Sequence, residues 1–141
     1  PVSRQLCMAR TFKGKKIGAY YGCLLLRPGK VMEFDDPENP KILEDFITAI
    51  GGTPVIYAQR NECCGAYAAF EDETIPQKRS ASILANAEDM GADFLVTSCP
   101  LCRYNLIKNK GSSKLDVIYF TELLAEALGV KDAVAKEAVN A

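Results

Sequence analysis

The chain contains no histidine. That absence removes zinc sites with imidazole ligands, Rieske centres, and any Ser-His or Cys-His catalytic pair. A metal here must be held by thiolates, with carboxylates as the weaker donors. Charge of one sign is also missing. Lys and Arg number 17 against 18 Asp and Glu, a net charge of −1. Neither this balance nor any basic cluster with interleaved aromatics suits a polyanion, so no nucleic-acid partner is expected. No apolar run approaches the roughly 18 residues of a membrane span. No cationic, apolar-cored signal peptide is present, nor any internal repeat or low-complexity stretch. A cytoplasmic protein is the expectation.

What is present suits one domain with a real core: 141 residues, 48% hydrophobic and 25% charged. Pro1 rather than Met opens the chain, which reads as a piece of a longer polypeptide. Six cysteines are the compositional oddity. A secreted disulfide scaffold is usually shorter and richer in loops. Cysteines at this density in a chain with long apolar-periodic segments point instead to metal ligation or redox work.

Residues 1–14 are polar and unpatterned and read as a linker or N-terminal extension. "KKIGAYYG" (15–22) reads as a strand. In "NPKILEDFITAIGG", Asn39 is the expected N-cap and Pro40 the first helical residue. Ile42, Leu43, Phe46, Ile47 and Ile50 make its apolar stripe, and Gly51 ends it. "TPVIYA" (53–58) is a second strand. A helix over 76–90 follows, with Ile83, Leu84, Ala87 and Met90 on one face. "ADFLVTS" (92–98) is a third strand, apolar as a central parallel strand should be. "CPLCRYNLIKN" opens a helix with Pro100 at its first position, and "LDVIYF" (115–120) is a fourth strand. Thr121 is the expected cap of a last helix carrying Leu123, Leu124, Ala127 and Leu128, stopped by Gly129. The segmentation is therefore 1–14 extension, 15–129 cysteine-rich domain and 130–141 tail. Alternating strands and helices imply an α/β, Rossmann-like three-layer domain with a four-stranded, mainly parallel sheet, order 2-1-3-4.

On this scaffold Cys23 follows the first strand, Cys63 and Cys64 the second, Cys99 and Cys102 the third. All fall at the carboxyl edge of the sheet, where open α/β sheets bind ligands at the point of strand-order reversal. Cys23 and Cys102, 79 positions apart in the chain, are thereby expected in one pocket. Adjacent Cys63 and Cys64 have Cα atoms about 3.8 Å apart, short of the roughly 4.4–6.8 Å of an ordinary disulfide. Cys99 as N-cap and Cys102 in the first turn would lie beside unpaired N–H groups that favour the thiolate. Five thiols exceed the four of a tetrahedral zinc or an ordinary cubane. Buried structural thiols at Cys63-Cys64, a Cys99/Cys102 dithiol–disulfide pair, and a zinc site using four of the five stand beside a cluster of unusual shape. Cys7 reads as an incidental thiol.

The pattern "YYGC…ECCG…SCPLC" resembles the CCG (cysteine-rich) domain found in the B-type subunit of heterodisulfide reductase and its relatives, over about residues 15–125. Here 39 residues separate Cys23 from Cys63, and 34 separate Cys64 from Cys99, near the limits of the family's spacing. Arg27-Pro28 and Thr97-Ser98-Cys99-Pro100 agree as well. Of the two copies in that reductase component, this chain looks like the C-terminal one. The resemblance implies a noncubane [4Fe-4S] cluster on Cys23, Cys63, Cys64, Cys99 and Cys102, one that air exposure loses or replaces with zinc or disulfides. It further implies a disulfide or thiol substrate, the heterodisulfide of coenzymes M and B or a related one, and iron–sulfur and flavin partner subunits. A single domain is then expected to be inactive alone. The alternatives are a non-catalytic electron relay and an interaction module stabilised by zinc or disulfides.

Overall fold

In the computed structural model, residues 12–130 are described. Four strands form one sheet, β1 (Lys16–Tyr20), β2 (Thr53–Val55), β3 (Phe94–Thr97) and β4 (Asp116–Tyr119). They lie in the order β2-β1-β3-β4 and every pair is parallel. The expected topology holds, with the parallel character complete. Five helices accompany them: α1 (Gly29–Met32), α2 (Ile42–Ala49), α3 (Thr74–Asp89), α4 (Pro100–Lys108) and α5 (Phe120–Ala127).

The two-residue period of β1 divides the core. Ile17, Ala19 and Tyr21 enter one apolar layer with Leu43 and Ile47 of α2 and Leu123 of α5. Tyr20 enters the other, with Ile83 and Leu84 of α3 and Leu106 of α4. Gly18 faces the Tyr20 layer with no room for a side chain, since a Cβ there would stand 2.6 Å from Leu95 Cδ2 and 3.2 Å from Tyr57. Phe12, in the stretch expected to be a linker, is buried edge-on against Phe94, ring centroids 6.5 Å apart.

Several local expectations change. α2 begins at Ile42, not Pro40, because Asp35 caps it from seven residues upstream. The Asp35 carboxylate accepts from Lys41 N (2.6 Å) and Ile42 N (2.8 Å). The carboxylate is held below the usual range: burial raises its pKa, but the N–H groups of Lys41, Ile42 and Asp36 outweigh it. Asn39 instead accepts from Arg60 Nη2 at 2.9 Å. Strand β2 stops at Val55, three residues early. The chain then winds into a 3-10 turn over Ala58–Asn61, drawn toward α3 by Gln59 N donating to Asn86 Oδ1. α5 starts at Phe120 after an extended Tyr119, so Thr121 lies inside it and is not its cap. Ile42 and Met90 point to solvent; both sit at helix ends, where the apolar stripe has run past the layer it faces. The loop after β1 contains the short helix α1, which no periodicity announces.

Candidate metal centre

β1 and β3 are neighbours in register, Tyr20 beside Thr97. The chain leaves them in opposite senses, toward β2 from β1 and toward β4 from β3, so a crevice opens beyond their carboxyl ends. Into it come Cys23 from the turn after β1, Cys63 and Cys64 from the loop after β2, and Cys99 and Cys102 from the start of α4. All five line one open cavity of about 380 Å³, mouth included, together with Tyr21, Leu24, Leu25, Ala66, Tyr67 and Leu101. The walls between the sulfurs are largely apolar.

The backbone presents donors to the sulfur atoms. Gly65 N donates to Cys63 Sγ at 3.3 Å, the geometry of a tight turn whose Gly65 has φ of 80°. Cys99 is the N-cap of α4 as expected, with Pro100 in the first turn, and its sulfur accepts from Cys102 N at 3.5 Å. Cys64 Sγ and Cys102 Sγ lie 4.0 Å apart and share a hydrogen bond. The bond from Cys102 favours a Cys64 thiolate and outweighs the cost of burial. Ala66 N–H and the Asn105 side chain add to it, and the Cys64 pKa falls to about 6. Cys102 keeps its proton, pushed up first by that bond to Cys64 and then by burial. Cys23 is also raised, chiefly by burial and then by its hydrogen bond with Cys63. Gly22, with φ of 71°, leaves space in which a Cβ would come within 3.0 Å of Cys102 Sγ.

Side chains behind the cavity hold the loops. Tyr20 Oη donates to Glu62 O at 2.6 Å. Its proton is held well above the ordinary range by burial and then by the neighbouring Cys64 and Cys102. Asn105, buried in α4, donates to Cys64 O at 3.0 Å and to Ser80 Oγ at 3.3 Å. On the other face Tyr21 Oη donates to Glu44 Oε2 and accepts from Leu43 N at 2.9 Å. Glu44 and Arg60 form a buried ion pair at 3.1 Å. Burial raises Glu44 despite the Tyr21 bond and the Arg60 charge. Tyr104 is exposed, with Lys108 Nζ 5.8 Å from its ring centroid. Leu24 and Leu25 line the cavity, while Leu26 is core. Cys7 lies outside the described residues.

Sequence reasoning missed Glu44, Arg60 and Asn105. A polar residue on the inner face of the amphipathic α2 was the available signal for Glu44; α4 has no clear apolar stripe, so Asn105 carried no such signal. Arg60, in a loop, carried none.

The donor set fits a thiolate-ligated group: five sulfurs, no imidazole, and backbone N–H groups aimed at the sulfurs of Cys63, Cys64 and Cys99. Among the described residues no three thiols or carboxylates converge closely enough to hold a single metal ion. All five sulfurs nonetheless line the one cavity.

The chain resembles the 8-methylmenaquinol:fumarate reductase membrane anchor subunit of Wolinella succinogenes, 31% identical over 123 residues, covering 82% of this chain and 43% of that protein. It is 30% identical over 129 residues to the B-type subunit of the ferredoxin/F(420)H(2)-dependent CoB-CoM heterodisulfide reductase of Methanosarcina acetivorans, covering 81% and 41%. The corresponding component of the ferredoxin:CoB-CoM heterodisulfide reductase of Methanosarcina mazei is 27% identical over 127 residues, covering 81% and 41%. The chain thus spans less than half the length of these relatives. The family model described as "Cysteine-rich domain", CCG, matches residues 17–107, a span that begins in β1, ends in α4 and contains all five cavity cysteines, and the chain belongs to that family.

Proposed function

We propose that this chain is an iron–sulfur redox domain of a protein akin to the B-type subunit of heterodisulfide reductase, with Cys23, Cys63, Cys64, Cys99 and Cys102 as the cluster ligands. The observation that carries the proposal is the convergence of five thiols from three strand ends on one cavity. The relatives differ in the substrates they are named for and agree on redox work. A noncubane [4Fe-4S] cluster suits five ligands, two of them adjacent, better than a cubane with four. The substrate we assign is a small-molecule disulfide, with iron–sulfur and flavin subunits supplying electrons.

Such a cluster, when bound, exchanges single electrons and offers iron to a substrate sulfur. The chain supplies the rest. The hydrogen bond from Cys102 and its neighbours lowers the Cys64 pKa to about 6, which favours the thiolate form that binds iron. Gly65 N–H and Cys102 N–H bond to ligand sulfurs and stabilise their negative charge, one means of tuning a potential. Leu24, Leu25, Ala66 and Leu101 keep the walls apolar and limit water around the sulfurs. Tyr20 holds its proton firmly and serves as a fixed donor to Glu62 O, not as an acid. With less than half of a relative's length, the domain alone is expected to bind a cluster and not to turn over.

Metal and sulfide analysis of anaerobically prepared protein tests this. Iron and acid-labile sulfide near about four per chain, with broad visible absorption, support the proposal. About one zinc per chain without colour replaces it with a structural site. Cys64→Ser should abolish or alter the cluster. An electron paramagnetic resonance signal that changes when a thiol is added separates a catalytic site from a relay, whose signal stays the same.

A further inference from the structure

The pairing of β1 with β2 ends at Gly18 and Val55. Beyond that point no ladder ties the Cys23 turn to the Cys63-Cys64 loop, although a ligand spanning both needs their spacing fixed. A row of other bonds takes over. The carbonyls of Arg60, Asn61 and Glu62, the three residues before Cys63, are all taken by donors flanking Cys23. Tyr21 N reaches Arg60 O at 2.8 Å. Arg27 Nη1 reaches Asn61 O at 2.8 Å. Tyr20 Oη reaches Glu62 O at 2.6 Å. Arg27 is anchored at its own end, since its backbone N–H donates to Cys23 O at 3.0 Å. The path Cys23–Arg27–Asn61–Cys63 is therefore short and bonded at each join. The second guanidinium nitrogen and Asn61 Nδ2 both donate to Pro37 O, at 3.2 and 2.7 Å, which adds a third loop to the clasp.

We propose that Arg27 is a positioning residue that sets the distance between Cys23 and the Cys63-Cys64 pair. The proposal rests on the cluster reading for its purpose, and on hydrogen-bond geometry for its substance. A guanidinium can serve two carbonyls in one plane; an ammonium is a point donor and cannot hold both directions. The ion pair with Glu38 is peripheral: Glu38 is 83% exposed and solvent screens it.

The test uses the full chain, metal-free, with Cys7, Cys64, Cys99 and Cys102 replaced by Ser. Cys23 and Cys63, which line the same cavity, are then cross-linked with dibromobimane, which fluoresces only when both arms have reacted. Arg27→Ala should slow the second, ring-closing alkylation by about tenfold, because its rate depends on how well the two thiols are held together. Arg27→Lys should recover only part of the rate, and Glu38→Gln should match the parent. In protein with all cysteines present, Arg27→Ala should also shift the cluster's resonance signal while circular dichroism and the unfolding midpoint change little, since the side chain is 40% exposed. Ring closure at the parent rate in Arg27→Ala overturns the proposal, as does full recovery by Arg27→Lys or an equal loss in Glu38→Gln. Should the parent bind no iron at all, the cluster reading fails, while the cross-linking result still judges the clasp.

Discussion

The buried pair Glu44–Arg60 makes a sharp energetic prediction. Both residues are under 10% exposed and their charged atoms lie 3.1 Å apart. Truncating one partner strands the other charge away from water, at a cost of about 3–5 kcal/mol. Against a total stability of roughly 5–15 kcal/mol, and at this chain length, that lowers the melting temperature by roughly 10–15 °C. Removing both charges is a different perturbation. Replacing the pair with Leu and Met of similar volume escapes two desolvation penalties and leaves one new debt, the unpaired Tyr21 O–H, at about 1–3 kcal/mol. The double variant should fall within about 2 kcal/mol of wild type, well above either single.

Acid separates the two singles. Burial raises Glu44 above its unfolded value, so its bound proton favours the folded state below that unfolded value, and this contribution is lost as pH rises through the folded one. In Arg60→Met the stranded carboxylate can take up a proton, so its deficit should shrink as pH falls from 7 toward the carboxylate range. In Glu44→Gln the stranded guanidinium cannot discharge, and no such relief is available. Urea titrations of the metal-free single and double variants at several pH values measure both effects. A double variant as unstable as the worse single, or a deficit in Arg60→Met that deepens in acid, would refute the reasoning.

Three further outcomes are expected. Asp35→Ala should cost about 1 kcal/mol through loss of the α2 cap. Because the carboxylate is depressed by backbone donors that outweigh burial, its contribution is full above the unfolded carboxylate range and fades as pH falls through the lower folded value, so variant and wild-type urea midpoints should converge in strong acid. Gly22→Ala should destabilise by about 1–2 kcal/mol from its left-handed backbone and also disturb Cys102, which a Cβ would approach to 3.0 Å. Gly14→Ala, equally left-handed but with nothing within 4 Å, supplies the backbone cost alone; equal cluster loss in both variants would defeat the Cys102 argument. In the metal-free protein, mass-resolved iodoacetamide labelling of Cys64 should rise with a midpoint near pH 6, following its lowered pKa, and a midpoint in the ordinary thiol range would show that Cys102 does not stabilise the thiolate.

The sheet and its edge were legible because they rest on period and punctuation. Apolar runs of strand length alternate with helical stripes stopped at Gly51, Gly91 and Gly129, each of which takes positive φ in the structure. Parallel order then sends every strand's carboxyl end to one side, and the cysteines follow from chain position alone. The start of α2 was not legible, because its cap is a carboxylate seven residues away that a local capping rule cannot reach. Nor was the early end of β2, after which the chain turns and Gln59 N bonds to Asn86 on α3.

The same division explains why the cysteines were readable and their supports were not. A cysteine announces itself by residue type and by its place after a strand. A support does its work through a backbone carbonyl, which every residue carries. Arg27 reaches Asn61 O, Tyr20 reaches Glu62 O, and Asn105 reaches Cys64 O. In each case the sequence names the donor but not the acceptor, and the pairing exists only once the strands have set the two loops side by side. Precision at this edge of the sheet is therefore a tertiary property. The strands carry the thiols to the crevice, while the spacing among Cys23, Cys63 and Cys64 depends on bonds made after the ladder has ended.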